Sequence, residues 1–251
     1  MAINLKLVSD QWLGSQVAET EMLFGAQPAY AASLAAFIWP WSNPAAPASI
    51  KGTNKADALN GTADDEDITA KGGDDTVQAG AGNDIIHGNE GQDTIYGEDG
   101  DDEIYGDWGD DKLLSGGAGN DVIDGGWGAD NIEGGSGDDT IEGGWNNDTI
   151  NAGAGVNTMK GGWGNDTFVF DQTCDDVNTI LKFQGEDKDV IDLSALGIPG
   201  AINAGNFQTN FMDAMVDQVG NDVNIHLGGN ALIVLNNFSM ANLDYTDFIF
   251  A

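Results

Sequence analysis

Along the middle of this chain, apolar residues recur at a fixed interval of nine. They stand at Leu59, Ile68, Val77, Ile86, Ile95, Ile104, Leu113, Ile123, Ile132, Ile141, Ile150, Met159 and Phe168. Each lies two residues after a polar anchor. The anchors are Asp57, Glu66, Asp75, Asp84, Asp93, Asp102, Asp111, Asp121, Asp130, Asp139, Asp148, Asn157 and Asp166. Thirteen such units and one extra residue, placed around Ser115, fill 52–169 without a gap. Glycine stands two residues before most anchors, at Gly82, Gly91, Gly100, Gly109, Gly119, Gly128, Gly137 and Gly164. Regular short repeats of this kind predict a solenoid, in which one unit buries its apolar side chain only by stacking on others. The residues after an anchor, such as Thr94-Ile95-Tyr96, read as a short strand with the middle side chain inward. The glycines supply the tight turns between strands.

The flanks read differently. Residues 1–51 predict a short helical segment. Ser9 or Asp10 caps a helix running to Phe24, Gly25 stops it, and Pro28 opens a second helix through Ile38. Pro40, Pro44 and Pro47 make a stiff linker. Residues 170–251 predict a β-rich cap. Val223, Ile225 and Leu227 alternate with polar residues, and Leu232-Ile233-Val234-Leu235 follows a Gly228-Gly229-Asn230 turn, as in a hairpin. The domain reading is therefore 1–51, 52–169 and 170–251. The fold class is all-β.

Charge narrows the function. The chain of 251 residues carries 42 acids and 8 lysines, no arginine, and a net charge of −34. Nucleic acid is excluded as a partner, because phosphates need Lys and Arg to neutralise them. A basic patch for an anionic membrane is missing too. No secretory signal precedes the repeats: Lys6 is the sole base of the first 50 residues, and Leu5–Val8 is too short an apolar run. Ala29–Trp39 is better but, at about 11 residues, cannot span a bilayer as a helix. Whether residues near it touch a membrane stays open at this level. The lone Cys174 forms no internal disulfide and reads as an inert thiol.

The repeat zone itself holds 27 acids and 4 lysines. Stacked turns lie about 4.8 Å apart, so each anchor faces another carboxylate across roughly 5 Å. Each such pair repels by roughly 0.8 kcal/mol even in water. Carboxylates in register need cations. An all-oxygen, charge-rich and flexible ligand set favours Ca²⁺, and binding it contributes folding free energy.

Gly116-Gly117-Ala118-Gly119-Asn120-Asp121-Val122-Ile123-Asp124 fits the nonapeptide G-G-x-G-x-D-x-U-x, as do Gly134–Glu142 and Gly161–Val169. The sequence resembles the RTX, or haemolysin-type calcium-binding, family. That resemblance implies a parallel β-roll, a right-handed solenoid in which unit n stacks on unit n+2. It implies several Ca²⁺ ions in the turns. Their ligands would come from Asp75, Asp84, Asp93, Asp102, Asp111, Asp121, Asp130, Asp139, Asp148 and Asp166 and from carbonyls around Gly82, Gly91, Gly100, Gly109, Gly119, Gly128, Gly137 and Gly164. Asn157, Glu66 and the extra residue depart from the pattern, so fewer ions than the eleven n/n+2 pairs are expected. Asp189-Val190-Ile191-Asp192-Leu193-Ser194 resembles the segment after the roll in serralysin-type RTX proteins, as does Phe183–Asp187. The closing Tyr245–Phe250 resembles their signal for a type I secretion apparatus, which implies an extracellular protein.

No catalytic motif is present: H-E-x-x-H, G-x-S-x-G and a phosphate loop are all missing. His87 and His226 read as structural. Three functions compete: a secreted calcium-binding structural or interaction protein, a small membrane-active protein using Ala29–Trp41, and a glycan-binding accessory module. The last rests on Trp108, Trp127, Trp145 and Trp163, which share one position of their units at spacings of 19, 18 and 18. In an n/n+2 stack they form one column, either packed away or exposed as a strip for a glycan or cell-surface partner.

Overall fold

A computed structural model describes residues 47–171, 176–183, 187–198 and 202–251. The helices expected before Ile38, Ala29–Trp41 as an inserting segment, and Cys174 lie outside these residues.

Two sheets, parallel through the repeats, run through the described residues, and the chain alternates between them. The odd strands are β1 (Ala48–Lys51), β3 (Glu66–Gly72), β5 (Ile85–Glu90), β7 (Glu103–Trp108), β9 (Val122–Trp127), β11 (Thr140–Trp145), β13 (Thr158–Trp163) and β15 (Val177–Leu181). They lie side by side in that order. The even strands are β2 (Ala58–Asn60), β4 (Thr76–Ala81), β6 (Thr94–Asp99), β8 (Leu113–Ala118), β10 (Asn131–Ser136), β12 (Thr149–Ala154), β14 (Thr167–Val169) and β16 (Val190–Asp192). They form the second sheet. Strand n thus pairs with strand n+2, in a parallel register such as Ile141 opposite Ile123 and Met159. This is the parallel β-solenoid that the nine-residue period predicts.

The described strands start at Ala48, four residues before the nine-residue frame begins, because β1 pairs with β3. At the other end both sheets continue past 169. The first is completed by β19 (Ala231–Asn236), β18 (Asp222–Gly228) and β17 (Val216–Val219), the second by β20 (Phe248–Ile249). β17, β18 and β19 are antiparallel, and β18–β19 is the predicted hairpin. A turn of helix, Asp213–Met215, precedes them. Phe207, Phe211, Phe248 and Phe250 pack together there, closing that end of the core.

The predicted apolar ladder is the core. Ile68, Val77, Ile86, Ile95, Ile104, Ile123, Ile132, Ile141, Ile150, Met159 and Phe168 are all essentially inaccessible. Two rungs differ from expectation: Leu59 is only partly buried, and further along the buried residue is Leu114, not Leu113. Leu113 pairs with Thr94 and Leu114 with Ile95, so the extra residue sits before the strand, not at Ser115. The N–H groups of Lys112 and Leu113 both point at the Asp93 carbonyl, at 2.9 and 3.5 Å. Two residues opposite one are a β-bulge. Most strands also run six residues rather than three, with five positions paired, and a second inward column follows the first. Small residues fill it, as with Ala70, Ala79 and Ala152. Elsewhere within the repeats it is glycine, and Phe170 closes it.

Candidate metal centre

Every anchor from Asp75 to Asp166 is buried where the chain enters a strand. One carboxylate oxygen has a fixed task. Oδ1 of each anchor accepts the backbone N–H of the anchor one turn earlier, as from Asp75 to Asp93 (2.7 Å), Asp93 to Asp111 (2.9 Å) and Asp130 to Asp148 (2.9 Å). The bulge does not break this column: Asp102 donates to Asp121 at 2.9 Å and Asp111 to Asp130 at 2.8 Å.

The other oxygen has no partner. Oδ2 of Asp75, Asp84, Asp93, Asp102, Asp111, Asp121, Asp130, Asp139, Asp148 and Asp166 is buried without a hydrogen bond. These ten residues are the ten aspartates expected from the repeat. An orphaned buried polar atom costs about 1–3 kcal/mol, and more when charged. Ten in register are not defects of packing. Burial pushes the carboxyls of Asp111 and Asp148 up to about 8, of Asp130 and Asp139 to about 7, and of Asp93, Asp102 and Asp166 to about 6. The accepted N–H opposes that shift in each case, and neighbouring carboxylates add to it.

Glycine makes room for this oxygen. A β-carbon at Gly97 would fall on Asp102 Oδ2 and 2.6 Å from the Gly116 carbonyl. One at Gly125 would meet Asp130 Oδ2 at 2.7 Å together with the Gly143 carbonyl. The glycines before the anchors serve the turn instead. Gly128 has φ of +139°, and a β-carbon there would strike the Gly109 carbonyl. Gly82, Gly91, Gly100, Gly109, Gly119, Gly137 and Gly164 share that left-handed backbone.

The donor set is therefore one carboxylate oxygen per nine-residue unit, in a bed of backbone carbonyls. Among the described residues no three His, Cys, Asp or Glu side chains converge on one point. That suits a hard cation held largely by main-chain oxygens, and not a zinc-type cluster.

The departures from the repeat are satisfied internally. Glu66 accepts from Thr62 N (3.0 Å) and Thr62 Oγ1 (2.6 Å). Asp57 accepts from Thr53 N and Oγ1, which hold its carboxyl below the usual range. Asn157 Oδ1 accepts from Asp139 N at 2.8 Å. Two members of the columns escaped the nine-residue count. Asp189 accepts from Asp166 N at 3.1 Å, and Asn178 from Asn157 N at 3.3 Å. The signal was there: both precede a β-branched pair whose second member, Ile191 or Ile180, joins the core.

The tryptophan column forms as predicted. Trp108, Trp127, Trp145 and Trp163 end β7, β9, β11 and β13, with ring centroids 5.1, 4.6 and 5.6 Å apart and nearly parallel planes. The expectation set stacking against exposure, and both hold: the four are 43–58% exposed. They line a shallow groove of about 640 Å³ together with Asp107, Asp124, Glu142, Lys160 and Lys182. His87 lies on the same outer face, 3.1 Å from Asp107 and stacked on Tyr105. His226 sits 3.0 Å from Asp217 in the cap. Neither approaches an anchor.

The fold and the site together define a parallel β-roll whose turns are lined by buried carboxylates awaiting positive charge. Residues 49–77, 60–95, 78–113, 113–141 and 142–172 match the family described as RTX calcium-binding nonapeptide repeat. Residues 49–172 thus carry RTX calcium-binding nonapeptide repeats, and such repeats bind several Ca²⁺ ions per array. Curated proteins give no match. Among solved structures, an extracellular lipase LipA from Serratia marcescens is 15% identical over 82% of this chain and 40% of the lipase, with a TM-score of 0.31. The AlgE6R3 subunit of the Azotobacter vinelandii mannuronan C5-epimerase is 22% identical over 80% of this chain and 81% of that subunit, with a TM-score of 0.23. This chain thus spans less than half of the lipase's length.

Proposed function

We propose that this protein is a secreted calcium-binding structural or interaction protein that folds on Ca²⁺ outside the cell. The observation that carries it is the register of ten buried, unpartnered Oδ2 atoms. The ten aspartates would hold the ions together with carbonyls of the glycine turns. Bound calcium supplies the positive charge that these carboxylates lack. The anchors' Oδ1 atoms meanwhile tie each turn to the one before it. Inside the cell, where free calcium is scarce, the array would remain self-repelling and unfolded. That state suits passage through a type I secretion apparatus, whose signal the closing Tyr245–Phe250 resembles. On this reading the protein acts by binding and by display.

The test is a Ca²⁺ titration of chelator-treated protein, followed by far-UV circular dichroism and tryptophan emission. A cooperative gain of β signal with little response to Mg²⁺ is expected. A metal-free protein that is already folded and indifferent to calcium would overturn the reading.

A second reading concerns the partner. The exposure of the four tryptophans beside an open groove favours a docking surface for a glycan or cell-surface partner. Mutual stacking occupies the faces of Trp127 and Trp145, so indole edges and the mixed charges of the groove, Asp124, Glu142, Lys160 and Lys182, are what a partner would meet. Binding on a glycan array, abolished by replacing Trp127 and Trp145 with alanine, is the expected result. Unchanged binding would remove the strip from the account. The membrane-active alternative rests on Ala29–Trp41 alone, and among the described residues no helix is long and apolar enough to cross a bilayer. Liposome leakage with calcium present tests it.

A further inference from the structure

Asn157 occupies the anchor position of its unit and is fully buried. Its Oδ1 does what every anchor's Oδ1 does, accepting the N–H one turn earlier, from Asp139 at 2.8 Å. Its second atom behaves differently from the ten orphaned oxygens. Nδ2 donates to the carbonyls of Gly155 at 3.3 Å and Gly153 at 3.5 Å. The amide orientation is dictated chemically: flipped, it would set Nδ2–H against the Asp139 N–H and Oδ1 against two carbonyls.

At Asn157 the residues two and four before the anchor thus present carbonyl oxygens to its second atom. For an aspartate that is oxygen against oxygen, tolerable only with a cation or a proton between them. For asparagine it is donor against acceptor, complete as it stands. We infer that Asn157 is an ion-free step in the calcium array, its carboxamide N–H groups standing where a cation serves the other anchors. This inference rests on the calcium reading above, and it adds a distinction between turns. The turn at Asn157 needs no metal, carries no buried charge, and continues by its own backbone N–H to Asn178 of the cap side, at 3.3 Å. Two consecutive members of that column are thus uncharged amides.

The experiment counts calcium ions per chain by native mass spectrometry on the full-length protein, as wild type, Asn157→Asp and Asp130→Asn. Asn157→Asp should bind one ion more than wild type. Asp130→Asn should bind one fewer and still fold, its new amide reaching toward the equivalent residues Gly126 and Gly128. If Asp130→Asn loses an ion while Asn157→Asp gains none, the ion-free assignment falls and the calcium reading stands. If neither count changes, the anchors do not hold the ions and the broader reading falls. Should Asn157→Asp fail to fold, the wild type decides. With ¹⁵N label and saturating calcium, the Asn157 side-chain NH₂ should be strongly protected from hydrogen exchange. An unprotected amide would overturn the inference.

Discussion

Truncating the middle of the apolar ladder tests whether stacking of identical rungs is what stabilises the roll. Ile132 is fully buried, with Leu114 one turn before it and Ile150 one turn after. Ile132→Ala removes three carbons, about 2.4 kcal/mol at roughly 0.8 kcal/mol per buried methylene. A cavity term follows, because the main-chain ladder holds both neighbouring turns in register and prevents collapse. The total is about 3–4 kcal/mol. In a calcium-coupled fold the loss also appears as a demand for more calcium. Thirteen units offer at most eleven stacked pairs. Shared over that many ions, about 3 kcal/mol is roughly 0.27 kcal/mol each, so half-saturating calcium rises by about 1.6-fold, and by more if fewer ions bind. The control is Ile85→Ala, an isoleucine 40% exposed on the outer face, expected to cost under about 0.5 kcal/mol. Urea unfolding at saturating calcium and calcium titration without urea read the two effects. Equal costs for the two variants would refute the ladder as the source of stability.

Other outcomes follow from the same geometry. The anchors' carboxyls are raised by burial in the metal-free fold, to about 6–8 at seven positions. That fold therefore binds more protons than the unfolded chain between about pH 4 and 8, and its stability falls as pH rises through this window. Chelator-treated protein should show more β signal at pH 5 than at pH 8.5, and a larger signal at pH 8.5 would contradict this. Gly97→Ala places a methyl on Asp102 Oδ2 and beside the Gly116 carbonyl, so it should weaken calcium binding although the backbone there is not left-handed. Calorimetry showing unchanged affinity would argue that this space is not part of a site. Iodide should quench tryptophan emission of the calcium-loaded protein substantially, because the four stacked rings are about half exposed. Full protection would mean that another part of the chain or a second molecule covers the strip.

Most of the site was legible because one spacing governs both chemistry and packing. A residue two places before a core position is carried to the mouth of a turn, so the count that finds Ile132 also finds Asp130. The count failed where the chain changes pace. Leu113 and Leu114 are chemically interchangeable, and spacing from Asp111 selects the wrong one, since the bulge lies between anchor and strand. Asn178 and Asp189 were missed because 21 and 23 residues, not 18, separate them from their partners. Local pattern persisted there while periodicity did not. The role of Asn157 was invisible for a different reason. Sequence shows a lost charge, whereas only the hydrogen bonds to Gly153 and Gly155 show what replaces it.

The alternation of strands between two sheets sets a quantum for how this molecule can change length. A gain or loss of eighteen residues returns every later strand to its own sheet, with one more or one fewer row in each. Nine residues would be enough to preserve every local contact of a unit, yet they would carry everything downstream to the opposite face. Trp127, Trp145 and Trp163 would leave Trp108 alone on its side. The closing hairpin would be delivered to the sheet that now ends in β20. Duplication can therefore extend the array freely only in pairs of repeats, and a single-repeat event is a change of surface as much as a change of size.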